Sequence, residues 1–253
     1  MPRFKQKLAD PETRVTSVLC TIPSPIVPQA LAASGIDSVI IDMEHGAIDH
    51  AAAHAMIAAT AGTDCAPLVR VAENDTVLVK RVLDLGAEGI VFPMIRSVED
   101  ARSAVASLKY APEGTRGFGP FIAQSRWQTT LAGYPTQEQD RLICCLLVET
   151  AEAVQNIEEI CKVPGIDLLI PAQFDLSTDL GVMGQFDHPT FQAALSRVEA
   201  AAKAADIPLG NVALDAEKAA ALFARGYRHI AHFDVLWLRE KAADMQSWCA
   251  LDN

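Results

Sequence analysis

Two carboxylates, Glu149 and Asp175, each follow an apolar run of strand length. Cys144-Cys145-Leu146-Leu147-Val148 stops at Glu149. Leu168-Leu169-Ile170-Pro171-Ala172 leads through Gln173-Phe174 to Asp175, and Ala151 to Cys161 between them reads as a helix. Strand, helix and strand make the βαβ unit of a parallel sheet, so both carboxylates emerge at the same carboxyl-terminal edge. Converging there, they repel each other and must shed water. A hard divalent cation such as Mg²⁺ or Mn²⁺ removes both problems, because it takes oxygen ligands. Spacing alone also allows two unrelated acids on exposed loops. Other strand ends carry Asp42, His45 and Arg70, and Asp84 ends the third helix. A histidine moves a proton near neutral pH, and a guanidinium pairs with anionic oxygens. Together with a metal acting as Lewis acid, the set suits enolisation of a small 2-oxo acid.

These residues share one mouth only if their strands share one closed sheet. The apolar runs are Val15 to Ile22, Ser38 to Ile41, Ala66 to Val71, Gly89 to Met94, the two runs above, Pro208 to Ala213 and Arg228 to Phe233. A helical pattern follows each. Ser24-Pro25 opens the first helix and Gly35 stops it; Asp49 and Asn74-Asp75 open the next two. The remaining helices read as Val98 to Tyr110, His188 to Ala205, Ala216 to Ala224 and a last amphipathic segment, Val235 to Trp248. Eight βα units in a chain of 253 residues predict an α/β fold, a TIM (β/α)₈ barrel forming one domain over 1–253. A doubly wound open sheet is the second choice, and it lacks its Gly-rich first turn here. A long connection from Ala111 to about Asp140, with Arg116-Gly117-Phe118-Gly119-Pro120 and Ser125-Arg126-Trp127, is expected to be functional or to touch a partner.

With 21 Lys and Arg against 32 Asp and Glu, the net charge of −11 argues against nucleic acid or an anionic membrane as partner. No apolar run nears the roughly 20 residues of a membrane span. Met1 to Asp10 is polar and lacks a signal-peptide apolar core. The six cysteines form no Cys-x-x-Cys and mostly sit in apolar runs, as reduced thiols of a cytoplasmic protein would.

The run Ile41-Asp42-Met43-Glu44-His45-Gly46 resembles the Ile-Asp-x-Glu-His signature of the HpcH/HpaI aldolase family, class II metal-dependent 2-oxo-acid aldolases on a TIM barrel. The resemblance continues through Pro67-Leu68-Val69-Arg70-Val71, Leu83-Asp84-Leu85-Gly86-Ala87, Val91-Phe92-Pro93-Met94, Arg116-Gly117-Phe118-Gly119, Ser125-Arg126-Trp127, Glu149-Thr150 and Asp175-Leu176-Ser177. It implies Glu149 and Asp175 as ligands of Mg²⁺, Mn²⁺ or Co²⁺, and Arg70 as the arginine on a pyruvate moiety. It further implies His45 as catalytic histidine, Asp42 and Asp84 as acids orienting it or a water, and backbone N–H groups at Ala172 and Phe174 for the substrate carboxylate. The implied reaction cleaves a 4-hydroxy-2-oxo acid to pyruvate, or an analogue such as hydroxypyruvate, and an aldehyde. The implied assembly is a homohexamer, a trimer of dimers that exchange C-terminal helices.

Two segments depart from the family pattern. Ala172-Gln173-Phe174-Asp175 stands where Gly-Pro-Ala-Asp is usual, so the pocket is bulkier. Ala231-His232-Phe233-Asp234 replaces a run of small residues, and His232 reads as a core histidine or a support to the site. His50 and His54 have metal-ligand spacing but no third ligand, and a solvated helix face explains them. The Arg116 to Gly119 glycines suit either a plain turn or an anion cradle at the mouth. No glycine-rich phosphate loop follows strands seven or eight. The alternatives are a carbon–carbon lyase for acyl-CoA thioesters of the citrate lyase β-subunit type, disfavoured by the scarcity of basic residues, and a non-catalytic binding barrel.

Overall fold

The computed structural model describes residues 3–249. Eight parallel strands make one sheet: β1 Val15–Cys20, β2 Ser38–Asp42, β3 Ala66–Arg70, β4 Gly89–Phe92, β5 Ile143–Val148, β6 Leu168–Pro171, β7 Gly210–Val212 and β8 His229–Phe233. β1 pairs with both β2 and β8, and a bridge between Leu169 and Leu209 brings β6 against β7. The result is a nearly closed (β/α)₈ barrel. β2 to β6 are buried along their whole length, so water favours them on neither face and they read as unbroken apolar runs.

The helices are α1 Phe4–Ala9, α2 Ile26–Ala33, α3 His50–Ala58, α4 Thr76–Asp84, α5 Val98–Leu108, α6 Ala123–Arg126, α7 Tyr134–Glu138, α8 Ala151–Gln155, α9 Ile157–Ile160, α10 Gln173–Asp179, α11 Pro189–Ala204, α12 Ala216–Ala224 and α13 Asp234–Ser247. Asp49, Asp75 and Asp215 accept first-turn N–H groups and start α3, α4 and α12. The helix expected over 151–161 breaks at Asn156, whose side-chain amide donates instead to the Arg96 carbonyl. The short α10 was not expected from the sequence. Nor was α1: Phe4 and Leu8 lie fully buried among the barrel's interior side chains. A plug of that kind is hidden in a segment whose composition is polar.

Strand side chains alternate between the two faces. Ile40, Leu68 and Leu147 belong to the interior cluster. Two residues further along, Asp42, Arg70 and Glu149 therefore face inward too, at the carboxyl-terminal mouth. Below them the interior turns polar. The Ser17 hydroxyl contacts the Ser38 hydroxyl and lies 2.6 Å from Nε2 of the fully buried His229. Gly210 makes room for that ring, since a β-carbon there would lie 2.4 Å from the imidazole Nδ1. Burial pushes the His229 imidazole down to about 4. Unfolded, it titrates near its ordinary 6.5, so below that pH the unfolded chain binds a proton that the native barrel refuses. Stability is full above pH 6.5 and falls as pH drops towards 4, by about 3 kcal/mol from this residue. Urea unfolding at pH 7.0 and 4.5 should show a pH loss that shrinks by that order in His229→Asn. An unchanged loss in the variant refutes it.

Among the described residues no helix is long and apolar enough to cross a membrane. Asp234 at the start of α13 accepts N–H groups of Thr21 and Ile22 at 3.0 to 3.1 Å, tying that helix to the end of β1. Beyond Trp237 the residues of α13 are exposed, including Leu238 and Met245, as is Trp248 at its C-cap.

Candidate active site

Parallel register places Asp42 directly beside Arg70 on neighbouring strands. The guanidinium grips the carboxylate as a fork, with Nε on Oδ1 at 2.9 Å and Nη2 on Oδ2 at 2.6 Å. Oδ1 also accepts the backbone N–H groups of Glu44 and His45 at 3.1 and 3.2 Å. Burial opposes ionisation of Asp42, but the guanidinium and these N–H groups outweigh it and hold the carboxyl below its usual range. Asp42 therefore fixes Arg70 and the turn after β2. It meets His45 through the backbone N–H and makes no bond to the imidazole.

The remaining guanidinium nitrogen, Nη1, lies 3.3 Å from Glu44 Oε2. Glu44 drew no separate expectation from the sequence, where it is one letter of a motif. In the fold, burial raises its carboxyl, Arg70 and His45 lower it, and Asp42 and Asp175 raise it further. Glu149 is buried at the end of β5 and accepts the Met94 N–H at 2.5 Å. Met94 donates from a left-handed backbone, φ 55°, a conformation rare for a residue with a side chain. Local strain at that position aims a main-chain donor into the mouth. Burial pushes Glu149 up to about 7; the Met94 N–H opposes this, and Glu44 and Asp175 add to it. Asp175 sits exposed in the first turn of α10, where the open N–H groups of a helix start favour a negative charge. His45 Nε2 lies 3.8 Å from Glu44, with the imidazole mostly exposed.

Three expectations fall differently. Asp84 ends α4, a helix that runs back from the mouth, so it stands at the amino-terminal end of the barrel. There it bonds Arg116 at 3.0 Å, and the Arg116 to Gly119 segment lies with it, away from the mouth of its own protomer. Strand and helix direction alone would have revealed this, because every αβ connection returns to that end. The Ala172 N–H is taken by the Val148 carbonyl at 3.1 Å in the sheet ladder, whereas the Phe174 N–H lies in the uncapped first turn of α10. His232 faces the outer layer, stacked 4.8 Å from Trp237, with Nδ1 accepting the Phe233 N–H. Its Nε2 lies 3.8 Å from Glu240, so it packs between β8 and α13 as the core histidine that the sequence also allows.

The sequence profile of the HpcH/HpaI aldolase/citrate lyase family matches residues 21–235. The chain belongs to this family. It is 38% identical over 218 residues to 2-dehydro-3,6-dideoxy-6-sulfogluconate aldolase of Pseudomonas putida, covering 86% of this chain and 85% of that one. Over 191 residues it is 37% identical to 4-hydroxy-2-oxo-heptane-1,7-dioate aldolase of Salmonella dublin, covering 74% and 72%. The solved HpcH/HpaI aldolase of Desulfitobacterium hafniense superposes with a TM-score of 0.90 at 29% identity, over 100% of this chain and 99% of that one. As an HpcH/HpaI protein the chain is an enzyme, a class II aldolase.

The family is generally dependent on a divalent metal, and the mouth fits one. Glu44 and Asp175 both raise the Glu149 carboxyl, Asp175 raises that of Glu44, and Glu44 Oε2 is buried without a hydrogen-bond donor. No group of three or more His, Cys, Asp or Glu is arranged to hold a metal among the described residues. Two protein carboxylates, with water and substrate oxygens completing the shell, is the manner in which Mg²⁺ is commonly held.

Proposed function

We propose that the protein is a divalent-metal-dependent aldolase that reversibly cleaves a 4-hydroxy-2-oxo acid to pyruvate, or an analogue such as hydroxypyruvate, and an aldehyde. The observation that carries the reading is the convergence of Glu149 and Asp175 beside an Arg70 locked in place by Asp42. Bound to Glu149 and Asp175, a cation such as Mg²⁺, Mn²⁺ or Co²⁺ would supply Lewis acidity to the 2-oxo acid. Arg70 offers positive charge to the substrate's oxygens without a search through rotamers, because Asp42 and Glu44 already hold its fork. The first-turn N–H groups of α10, with Phe174 among them, have no side-chain cap and would receive the substrate carboxylate. His45 is placed by its backbone bond to Asp42 and left free to carry a proton between solvent and substrate.

Incubating a 4-hydroxy-2-oxo acid with enzyme should release pyruvate, and EDTA should stop it until Mn²⁺ is restored. Full release in EDTA refutes the metal reading. Release only from an acyl-CoA thioester favours the citrate lyase-type alternative, and no turnover of either favours a binding barrel. Five described cysteines are buried free thiols, which suits the reducing cytoplasm. The same reading takes 1–253 as one barrel domain. The protein then assembles as a homohexamer through the exposed Leu238 and Met245 of α13 and Trp248 at its end, exchanged between subunits. Light scattering at micromolar concentration should give a mass near six chains, and a monomer refutes the assembly.

A further inference from the structure

We propose that the aldehyde partner is apolar, carried on a rim formed by Met94, Phe174 and Leu214; the inference rests on the aldolase reading and adds the substrate class. All three stand on βα connections at the edge that bears Glu149 and Asp175. Met94 is two residues past β4, Leu214 two past β7, and Phe174 immediately precedes Asp175. They expose 41%, 50% and 63% of their surface, a large outlay of apolar area around an otherwise polar mouth. Exposed apolar groups on three connections of the edge that carries the polar site mark a binding surface more than chance placement does.

Two of the three are held in position. Phe174 packs edge-on to Phe186 at 5.0 Å, and Phe186 packs in turn on the buried Phe191 at 5.5 Å. The Met94 backbone, from which its side chain rises, is held in a left-handed conformation by its N–H bond to Glu149. The electrostatics of the edge point the same way. Arg70 is shared by Asp42, Glu44 and, in the aldolase reading, the pyruvate oxygens, while Asp179 and Asp215 add negative charge on the loops after β6 and β7. An aldehyde with an anionic far end would meet these acids, with the exposed Arg96 after β4 as a counter-charge on the same edge. An alkyl or aryl chain would meet a thioether, a phenyl and an isobutyl group. The inference thus departs from the relatives named for a sulfogluconate and a heptanedioate.

The test uses the Mn²⁺-loaded enzyme and pyruvate with propanal, butanal, pentanal, glyceraldehyde and succinic semialdehyde. Exchange of pyruvate methyl protons in D₂O is followed in parallel without aldehyde. The expected kcat/KM rises about fourfold per methylene from propanal to pentanal, and pentanal exceeds succinic semialdehyde by at least about 10-fold. Phe174→Ala should flatten the chain-length dependence, and Leu214→Arg should move the preference towards succinic semialdehyde. Exchange together with a wild-type preference for succinic semialdehyde, lost in Arg96→Ala, overturns the apolar rim and leaves the aldolase reading standing. Exchange with no chain-length dependence does the same. Absence of exchange overturns both.

Discussion

Glu149→Gln is expected to lower metal-dependent aldol turnover by at least about 10³-fold, since the site loses the Lewis acid's several kcal/mol of charge stabilisation. The substitution keeps shape and burial but removes the charge that a divalent cation needs opposite Asp175. The amide oxygen can still accept the Met94 N–H that the carboxylate now accepts at 2.5 Å, so the strand end need not move. Removing a buried carboxylate that burial already pushes up to about 7 also relieves repulsion with Glu44 and Asp175. The barrel should therefore unfold at no lower a temperature than the wild type in EDTA. Asp175→Asn should lose activity similarly. Binding of Mn²⁺, read by isothermal titration, should weaken in both. A variant that keeps full activity after metal stripping would show that these carboxylates do not serve a metal.

His45→Ala is expected to slow exchange of pyruvate methyl protons in D₂O by roughly 10²- to 10⁴-fold, the usual worth of general acid–base catalysis. Metal affinity should barely change, because the imidazole is no proposed ligand. The structure sharpens this test. Asp42 is fully engaged with Arg70, and Asp84 stands at the other end of the protomer. The carboxylate nearest the imidazole is Glu44, at 3.8 Å. Glu44→Gln therefore probes whether that acid supports His45, and a shifted pH profile of exchange with an intact maximum would show it. Undiminished exchange in His45→Ala leaves solvent water as the base and reduces His45 to positioning.

The architecture was legible because a βα unit writes itself locally. Apolar runs of strand length, aspartate caps such as Asp49 and Asp75, and helical periods recur eight times, and each depends on neighbours in the chain. The same locality made Glu149, Asp175, Arg70 and His45 readable as strand-end chemistry. What needed tertiary structure is everything set by register and direction. Asp42 looks like a partner for His45, three residues away, until the pairing of β2 with β3 sets it beside Arg70, 28 residues away. Two oppositely charged side chains on adjacent inward positions must satisfy each other first, since neither can be left unpaired out of water. Asp84 looks like a residue of its own protomer's site by motif until the return direction of α4 carries it to the far end with Arg116, where only a neighbouring subunit's site could use it. Met94 contributes a backbone donor, which no side-chain letter encodes, from a left-handed φ on the connection between β4 and α5. The Ser17, Ser38 and His229 cluster unites strands 212 residues apart in the sequence. Only closure of the barrel between β8 and β1 brings them into contact, and only a neighbour as small as Gly210 leaves room for the ring.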